Sequence, residues 1–167
     1  VVLLRHPRSE PDPYEAALAP VAASVQCIPV LAFDINPPPT LNVLLGAPDA
    51  YDGLVCTSPR SVQALEQACP PTHATYAAWT AKPVYVVGPR TAEAVSAWGG
   101  RPVGQASGNA AALAAHIAQA ALSRLLFISG NRRRATLPRA LVQEGQLFDE
   151  VEVYRTRPRS DIALPAP

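Results

Sequence analysis

Residues 54–65, LVCTSPRSVQAL, decide the fold, because they change from one type of secondary structure to another within a single turn. The apolar start, residues 54–56, is typical of a buried strand. Ser58 followed by Pro59 is a common beginning of a helix, since serine caps a free helix N–H and proline has no N–H to leave unpaired. The stretch therefore predicts a strand, a tight turn and a helix.

The same strand–turn–helix pattern recurs along the chain. Residues 82–100, KPVYVVGPRTAEAVSAWGG, show it and end in two glycines, which commonly stop a helix. Residues 123–145 repeat it, with a bend expected at Pro138. An alanine-rich helix with Asn109 as its N-cap lies between them, and a last strand, DEVEVYRT, follows. This alternation predicts an α/β protein with a parallel sheet covered on both faces.

The beginning of the chain is arranged differently. Residues 1–5 are a short aliphatic strand, and residues 14–21 can form a short helix. Residues 25–33 predict a second strand that leaves its sheet at Pro29, since proline cannot donate to a central ladder. We therefore predict four segments: the start of a first domain (1–30), a crossover linker (31–38), a complete second domain (39–150), and a return strand with a tail (151–167).

Composition excludes several classes of protein. With a net charge of +1, the chain offers no electrostatic reason to bind nucleic acid or an anionic membrane. No apolar run is long enough to span a bilayer. The three cysteines, Cys27, Cys56 and Cys69, form no CxxC pair and predict neither a disulfide framework nor a zinc site. We expect a cytoplasmic protein whose thiols stay reduced.

The ends of three strands share one design. Each places small or hydroxyl residues beside an arginine and opens a helix, whose free N–H groups and dipole favour anions. In a parallel sheet these ends meet at one edge. The pattern predicts a ligand with several carboxylates or phosphates, held by three groups of residues: Thr57, Ser58 and Arg60; Gly88, Pro89, Arg90 and Thr91; Ser129, Gly130, Asn131 and Arg134.

Each group also has a purely structural interpretation. Ser58 alone is better explained as a helix cap. Gly88 and Pro89 could serve only the turn, and the run of arginines at 132–134 could be a solvated helix face. The repetition at three neighbouring strand ends is what favours ligand binding.

The chemistry expected of the site follows from what the sequence lacks. It contains no GxxxxGK[ST], GxGxxG or GxSxG pattern. His6, His73 and His116 have no metal-ligating residue at a suitable spacing, so no metal is predicted. An enzyme with this sequence would work by positioning and hydrogen bonding, without a metal or a covalent nucleophile.

An ordered set of short segments resembles uroporphyrinogen-III synthase, especially its eukaryotic branch. The segments are VVLLR, DPY, IPVLAF, YDGLVCTSPRSV, AKPVYVVGPRTAEAV, SGNAAALA, LLFISGN, LPRAL and VEVYRT, which together span residues 1–157. The resemblance implies two flavodoxin-like α/β domains joined by a two-stranded β-ladder. It also implies cyclisation of hydroxymethylbilane, a linear tetrapyrrole with several carboxylates, to uroporphyrinogen III, with loss of water, inversion of ring D and no cofactor.

The resemblance also assigns roles to particular residues. Thr57, Ser58, Thr91 and Tyr154 correspond to residues that line the family's cleft. Tyr154 is the candidate for assisting loss of the hydroxyl as a hydrogen-bond donor or acid. The alternative for Tyr154 is an aromatic hinge that packs between the domains.

Family members continue beyond the point where this sequence stops, so the first domain is expected to be incomplete. We expect the chain alone to bind hydroxymethylbilane weakly and to turn it over poorly. A complete chain should be a monomer, whereas the unfinished domain could associate with a second copy. Two alternatives remain open: a non-catalytic flavodoxin-like module that binds an anionic small molecule, and an inactive self-associating fragment.

Overall fold

The computed structural model describes residues 1–6, 12–132 and 135–162 of an α/β protein. Strands and helices alternate, as the sequence predicts. The strands are β1 (Val2–Leu3), β2 (Gln26–Cys27), β3 (Leu31–Ile35), β4 (Gly53–Cys56), β5 (Pro83–Val86), β6 (Arg101–Val103), β7 (Arg124–Gly130) and β8 (Leu147–Pro158). The helices are α1 (Pro13–Leu18), α2 (Pro39–Leu45), α3 (Pro59–Ala68), α4 (Tyr76–Thr80), α5 (Pro89–Trp98), α6 (Ala110–Ala118) and α7 (Thr136–Gln143).

The chain divides into two compact units. Unit 1 comprises Val1–Asp34 and the chain from Thr156 onward, and unit 2 comprises Ile35–Arg155. Strands β3 and β8 each run from one unit into the other. None of the helices within the described ranges is long and apolar enough to cross a membrane.

Unit 1 is small and sparsely packed. Its strands β1 and β2 form a parallel two-stranded sheet, with Val2 opposite Gln26. Asp12 caps α1 and accepts a hydrogen bond from Arg5 at 3.1 Å. Among the described residues of unit 1, Ile28 is the only hydrophobic side chain that is buried. This unit therefore contributes little apolar burial to the stability of the chain.

Unit 2 contains the five parallel strands β4 to β8. Across the sheet they lie in the order β8-β7-β4-β5-β6, with β3 beside β8 at one edge. The predicted parallel sheet is thus confirmed. The chain proceeds outward from β4 to β5 and β6, then returns to the other side of β4 for β7 and β8. The direction of winding reverses between β4 and β7, and in open α/β sheets ligands bind beside such a reversal.

The strand order corrects one expectation. Counted along the chain from β4, the parallel strands lie in the order 3-2-1-4-5, whereas a flavodoxin-like sheet has the order 2-1-3-4-5. The α/β class holds, but the flavodoxin-like order is not found in unit 2. Local sequence patterns specify where strands begin and end, and they carry no information about which strands become neighbours.

Helix ends follow the predicted chemistry. The Ser58 hydroxyl accepts a hydrogen bond from the Arg60 N–H at 3.2 Å, and Asn109 accepts one from the Ala112 N–H at 2.9 Å. Gly99 ends α5 with a φ of 95°, in the left-handed region that glycine tolerates best. Pro138 is the third residue of α7, where a missing N–H removes no intrahelical hydrogen bond.

The sheet of unit 2 is covered on both faces, as predicted. One hydrophobic cluster contains Trp79 and Trp98, whose indole N–H groups donate to the carbonyls of Leu45 and Cys69. A second cluster contains Phe127. Since both indoles find buried acceptors, these large side chains are buried without leaving a polar group unpaired.

Three elements were not predicted: α2, α4 and β6. The single interrupted strand expected at 25–33 is in fact two strands, β2 and β3, which belong to different sheets. The break lies at residues 28–30, next to Pro29, where the sequence predicted that the strand would leave its sheet.

Candidate functional site

A cleft of about 580 Å³ lies within unit 2, at the carboxyl ends of its strands. This is the edge where the winding reverses between β4 and β7, so its position is the one expected of a binding site in such a sheet. Three groups of residues line it: Thr57, Val87, Phe127 and Tyr154 from the strands and the residues that follow them; Gly108–Ala111 at the start of α6; Arg132, Thr136 and Leu137 after β7.

The start of α6 gives the cleft a positive electrostatic character. Asn109 caps the Ala112 N–H, while the N–H groups of Ala110 and Ala111 occupy the first two helical positions, where no intrahelical acceptor exists. Gly108, with a φ of 72°, turns the chain into the helix. Together with the guanidinium of Arg132, this end of α6 favours an anionic group in the cleft.

Tyr154 reaches the cleft from β8 and is half-buried. It stands opposite Gly130 on β7, at a point where the register of the two strands shifts. Its carbonyl accepts a hydrogen bond from the Asn131 N–H at 3.2 Å. Gly130 and Asn131, which meet Tyr154 from the end of β7, are therefore both residues that the sequence predicted for the site.

The predicted residues that follow β4, namely Thr57, Ser58 and Arg60, do not all reach the same cleft. Thr57 lines the cleft, whereas the Ser58 hydroxyl is used as the cap of α3. Arg60 and Arg90 line a separate hollow of about 350 Å³, together with Pro59 and Gln63. Burial lowers the pKa of Arg60, the Tyr154 phenol opposes that decrease, and the Arg90 guanidinium adds to it.

The remaining predicted residues have structural surroundings. Thr91 and Ser129 are buried, each only 3% exposed. Gly88 has a φ of 82° and caps α5, where Pro89 is the first helical residue. Asn131 is exposed. Arg134 lies outside the described residues, and Arg132, which is described, lines the cleft.

Several cleft residues were missed by the sequence analysis. Asn109 was predicted only as a cap, and its neighbours Gly108, Ala110 and Ala111 were not singled out. Val87, Phe127, Thr136 and Leu137 supply apolar or hydroxyl surface that no motif marks. Only the strand order would have pointed to the start of α6. This helix connects β6 to β7, and such a connection begins close to the point where the winding direction of the sheet reverses.

Comparison with known proteins gives one consistent result. The family model described as uroporphyrinogen-III synthase HemD matches residues 12–164. The uroporphyrinogen-III synthase of Saccharomyces cerevisiae is 33% identical over 133 residues, which cover 72% of this chain and 48% of the yeast protein. The chain thus spans about half the length of this curated relative.

Solved structures share the fold. A mutant uroporphyrinogen III synthase from the extremely thermophilic bacterium Thermus thermophilus superposes with a TM-score of 0.65 at 18% identity, over 95% of this chain and 64% of that one. The enzyme of Helicobacter pylori 26695 gives a TM-score of 0.64 at 14% identity, over 95% and 62% of the two chains. At these identities the likeness extends to the fold alone.

Proposed function

We propose that this chain, which belongs to the uroporphyrinogen-III synthase family, acts in the cyclisation of hydroxymethylbilane to uroporphyrinogen III. The reaction releases water and inverts ring D of the linear tetrapyrrole. The observation that carries the proposal is the cleft at the reversal of the sheet, where Tyr154, Thr57, Arg132 and the start of α6 meet. The cleft offers hydrogen-bond donors and positive charge to a substrate that has several carboxylates.

Binding would use the groups that face the cleft. The N–H groups of Ala110 and Ala111 and the guanidinium of Arg132 suit carboxylates. The apolar surface of Phe127 and Leu137 suits pyrrole rings. Arg60 and Arg90, in the neighbouring hollow, could receive a further carboxylate of the same molecule.

Chemistry would depend on Tyr154. The departing hydroxyl of hydroxymethylbilane must gain a proton to leave as water, and the Tyr154 phenol, which lines the cleft, would donate it. Thr57 would orient the substrate. Ring closure is already intramolecular, so the cleft would contribute by holding the two ends of the folded tetrapyrrole in a reactive orientation.

We also propose the family's two-domain arrangement. The division of the chain into two units, with β3 and β8 running from one into the other, supports it. The pairing of β3 with β8 supports the proposal that these strands form the two-stranded ladder.

We propose further that the working protein is a cytoplasmic monomer. The thiols of Cys27, Cys56 and Cys69 are all free, which fits a reducing compartment. Burial raises the pKa of Cys56 to about 12, so this thiol is protected from oxidation in the folded chain. Sedimentation at several concentrations tests the oligomeric state, and a stable dimer would favour the self-associating alternative.

The activity is tested with freshly made hydroxymethylbilane, by separating isomers I and III of the product. Isomer I forms without protein, so only an excess of isomer III over a protein-free control counts. We expect Tyr154→Phe to lower the rate of isomer III formation by about a hundredfold, since general acids commonly contribute that much. Tyr14→Phe is the matched control, because Tyr14 lies on α1 of unit 1 and is 48% exposed.

Two outcomes would contradict the proposal. An unchanged rate in Tyr154→Phe would remove the catalytic role of that residue and favour the hinge alternative. Binding of hydroxymethylbilane without any excess of isomer III, in a chain extended to the length of its relatives, would instead support the non-catalytic module.

A further inference from the structure

We propose that Gly130 is a positioning residue that fixes the Tyr154 ring at the edge of the cleft by having no side chain. The proposal rests on the proposed function only for the reaction that the phenol assists. The placement of the ring is a separate claim, and it depends on contacts between β7 and β8.

The contact between the two residues is close. A Cβ built on Gly130 would overlap Cζ of Tyr154 and lie 2.6 Å from each Cε. In real proteins a Cβ essentially never lies within 3.0 Å of a heavy atom from a residue elsewhere in the chain. The aromatic ring therefore covers the backbone of Gly130, in the space that any other residue would fill with its own side chain.

The backbone itself does not require glycine at this position. The φ angle of Gly130 is not positive, unlike that of five other described glycines. Alanine at position 130 would thus be compatible with the strand conformation. The three atoms nearest to such a Cβ all belong to the Tyr154 ring, which makes the two side-chain positions interdependent.

The register shift explains why a tyrosine stands there. Ile128 pairs with Val151 and Ser129 with Glu152, but Gly130 pairs with Tyr154, so Val153 is passed over. Without this bulge, Gly130 would face Val153. A shift of one residue turns a side chain to the other face of a sheet, so the bulge brings Tyr154 to the position beside Gly130.

The consequence for the cleft is a fixed ring. Tyr154 is held at its backbone by the Asn131 N–H and at its ring by the surface of Gly130. Any side chain at position 130 would lift the ring from β7 and move the hydroxyl. Misplacement of a reacting group by about 1 Å can cost on the order of a hundredfold in rate.

A double-mutant cycle tests the dependence on the ring. We compare the urea unfolding of the wild-type chain, Gly130→Ala, Tyr154→Ala and the double variant. Gly130→Ala should lower the folded-to-unfolded ratio about tenfold, the usual scale of overpacking. In the Tyr154→Ala background the same substitution should lower it less than about twofold, because the ring is gone. An equal loss in both backgrounds, or an unfolded double variant, overturns the proposal.

Fluorine NMR distinguishes positioning from a general packing defect. The chain has five tyrosines, and 3-fluorotyrosine gives each a resonance, that of Tyr154 being identified by its loss in Tyr154→Phe. Gly130→Ala should move this resonance and leave the other four in place. Gly46→Ala is the matched control, since Gly46 has a φ of −68° and its Cβ would meet only backbone oxygens at 3.3 and 3.4 Å. An unmoved Tyr154 resonance in Gly130→Ala overturns the proposal.

Turnover of hydroxymethylbilane completes the test. If Gly130 acts through Tyr154, Gly130→Ala and Tyr154→Phe lower the rate of isomer III formation by similar factors, and the two together lower it no further. A second, independent loss in the combined variant overturns the proposal. If the chain forms no excess of isomer III at all, the proposed function fails, while the unfolding cycle and the fluorine spectrum still decide the role of Gly130.

Discussion

Tyr51 joins the segment before β4 to the beginning of β8 through one partly buried hydrogen bond. Its hydroxyl donates to Oδ2 of Asp149 at 2.7 Å, and the same oxygen lies 3.1 Å from Nε of Arg124. Tyr51 is only 5% exposed. Burial, followed by the hydrogen bond and the charge of Asp149, raises the pKa of Tyr51 to about 12, while Arg124 opposes the increase.

Replacing Tyr51 by phenylalanine should weaken the fold in a pH-dependent way. At pH 7 we expect the free energy of unfolding to fall by about 1.5–3 kcal/mol, the range for hydrogen bonds to charged groups. The ring contact with Trp79, at 5.9 Å between centroids, is kept in the variant. Urea unfolding at pH 7 measures the loss.

The sign of the pH dependence follows from the raised pKa. The folded-state value of about 12 exceeds the unfolded value of about 10, so the stabilisation is complete below pH 10 and is lost as the pH rises towards 12. The wild-type chain should therefore lose more stability than Tyr51→Phe between pH 10 and 12. Burial also raises the pKa of Tyr85, but this residue is present in both chains, so its contribution to the pH dependence is the same in each. Parallel pH curves for the two chains would contradict the prediction.

At the residue scale, the structure brings some of the predicted residues to the cleft and gives others a structural position. Thr57 and Tyr154 both line the cleft, although substrate binding by either stays a prediction. Ser58 belongs to the helix cap, as its structural interpretation held. Arg60 and Arg90 reach a different hollow. A residue's distance along the chain from a strand end is visible in sequence, but the direction in which a long side chain extends depends on packing partners that are remote in sequence.

Two glycines at helix ends separate backbone strain from side-chain contact. Gly99, after α5, has a φ of 95°, and a Cβ there would overlap the Tyr76 hydroxyl, which donates to the Trp98 carbonyl at 2.6 Å. Gly145, after α7, has a φ of 73° and nothing within 4 Å of such a Cβ. Alanine is strained at both positions, but only at the first does it also displace a neighbour.

The two substitutions should therefore differ in cost. Gly145→Ala should lower the free energy of unfolding by about 1 kcal/mol, the cost of a left-handed residue with a side chain. Gly99→Ala should lower it by about 1–3 kcal/mol more, because the Tyr76 ring must move and its hydrogen bond is lost. Urea unfolding of both variants measures the difference. In a Tyr76→Ala background the difference should largely disappear, and its persistence would contradict the explanation.

At the element scale, the predicted helices and strands are those with a strong local signal. The three missed elements depend on tertiary contacts. Helix α4 has five residues, too few for a stable isolated helix, and it is anchored by the buried indole of Trp79. Strand β6 has three residues and contains Pro102, which argues against a strand in sequence. Helix α2 begins at the last of three consecutive prolines and buries only Leu41 and Leu45.

At the scale of the whole molecule, the strand order is the feature that sequence could not supply. The reversal between β4 and β7 places the start of α6 at the cleft, yet β4 and β7 are separated by most of unit 2 along the chain. Pairing over such distances is decided by the combined burial of both sheet faces. In unit 2 this burial occurs in the two hydrophobic clusters.

Burial is distributed unevenly between the two units, and this predicts how each one opens. In unit 2, β4 is completely buried, and most of β5 and β7 is also buried. In unit 1, β1 and β2 have two residues each and no fully buried side chain. A two-stranded sheet is marginal in water unless it packs against other structure. The amides of unit 1 should exchange with solvent through local opening, and those of the central strands only through global unfolding.

Native-state hydrogen exchange measures this difference directly. The Ile28 N–H, which donates to the Leu3 carbonyl at 2.8 Å, reports on unit 1, and the amides of Val55 and Leu126 report on the centre of the sheet in unit 2. In low urea, we expect the opening free energy of the Ile28 amide to stay low and to change little with urea concentration. The opening free energies of the Val55 and Leu126 amides should equal the free energy of global unfolding and decrease as the urea concentration rises. If all three amides follow one urea dependence, the units unfold together. Unit 1 would then be stabilised by something other than its own small buried surface.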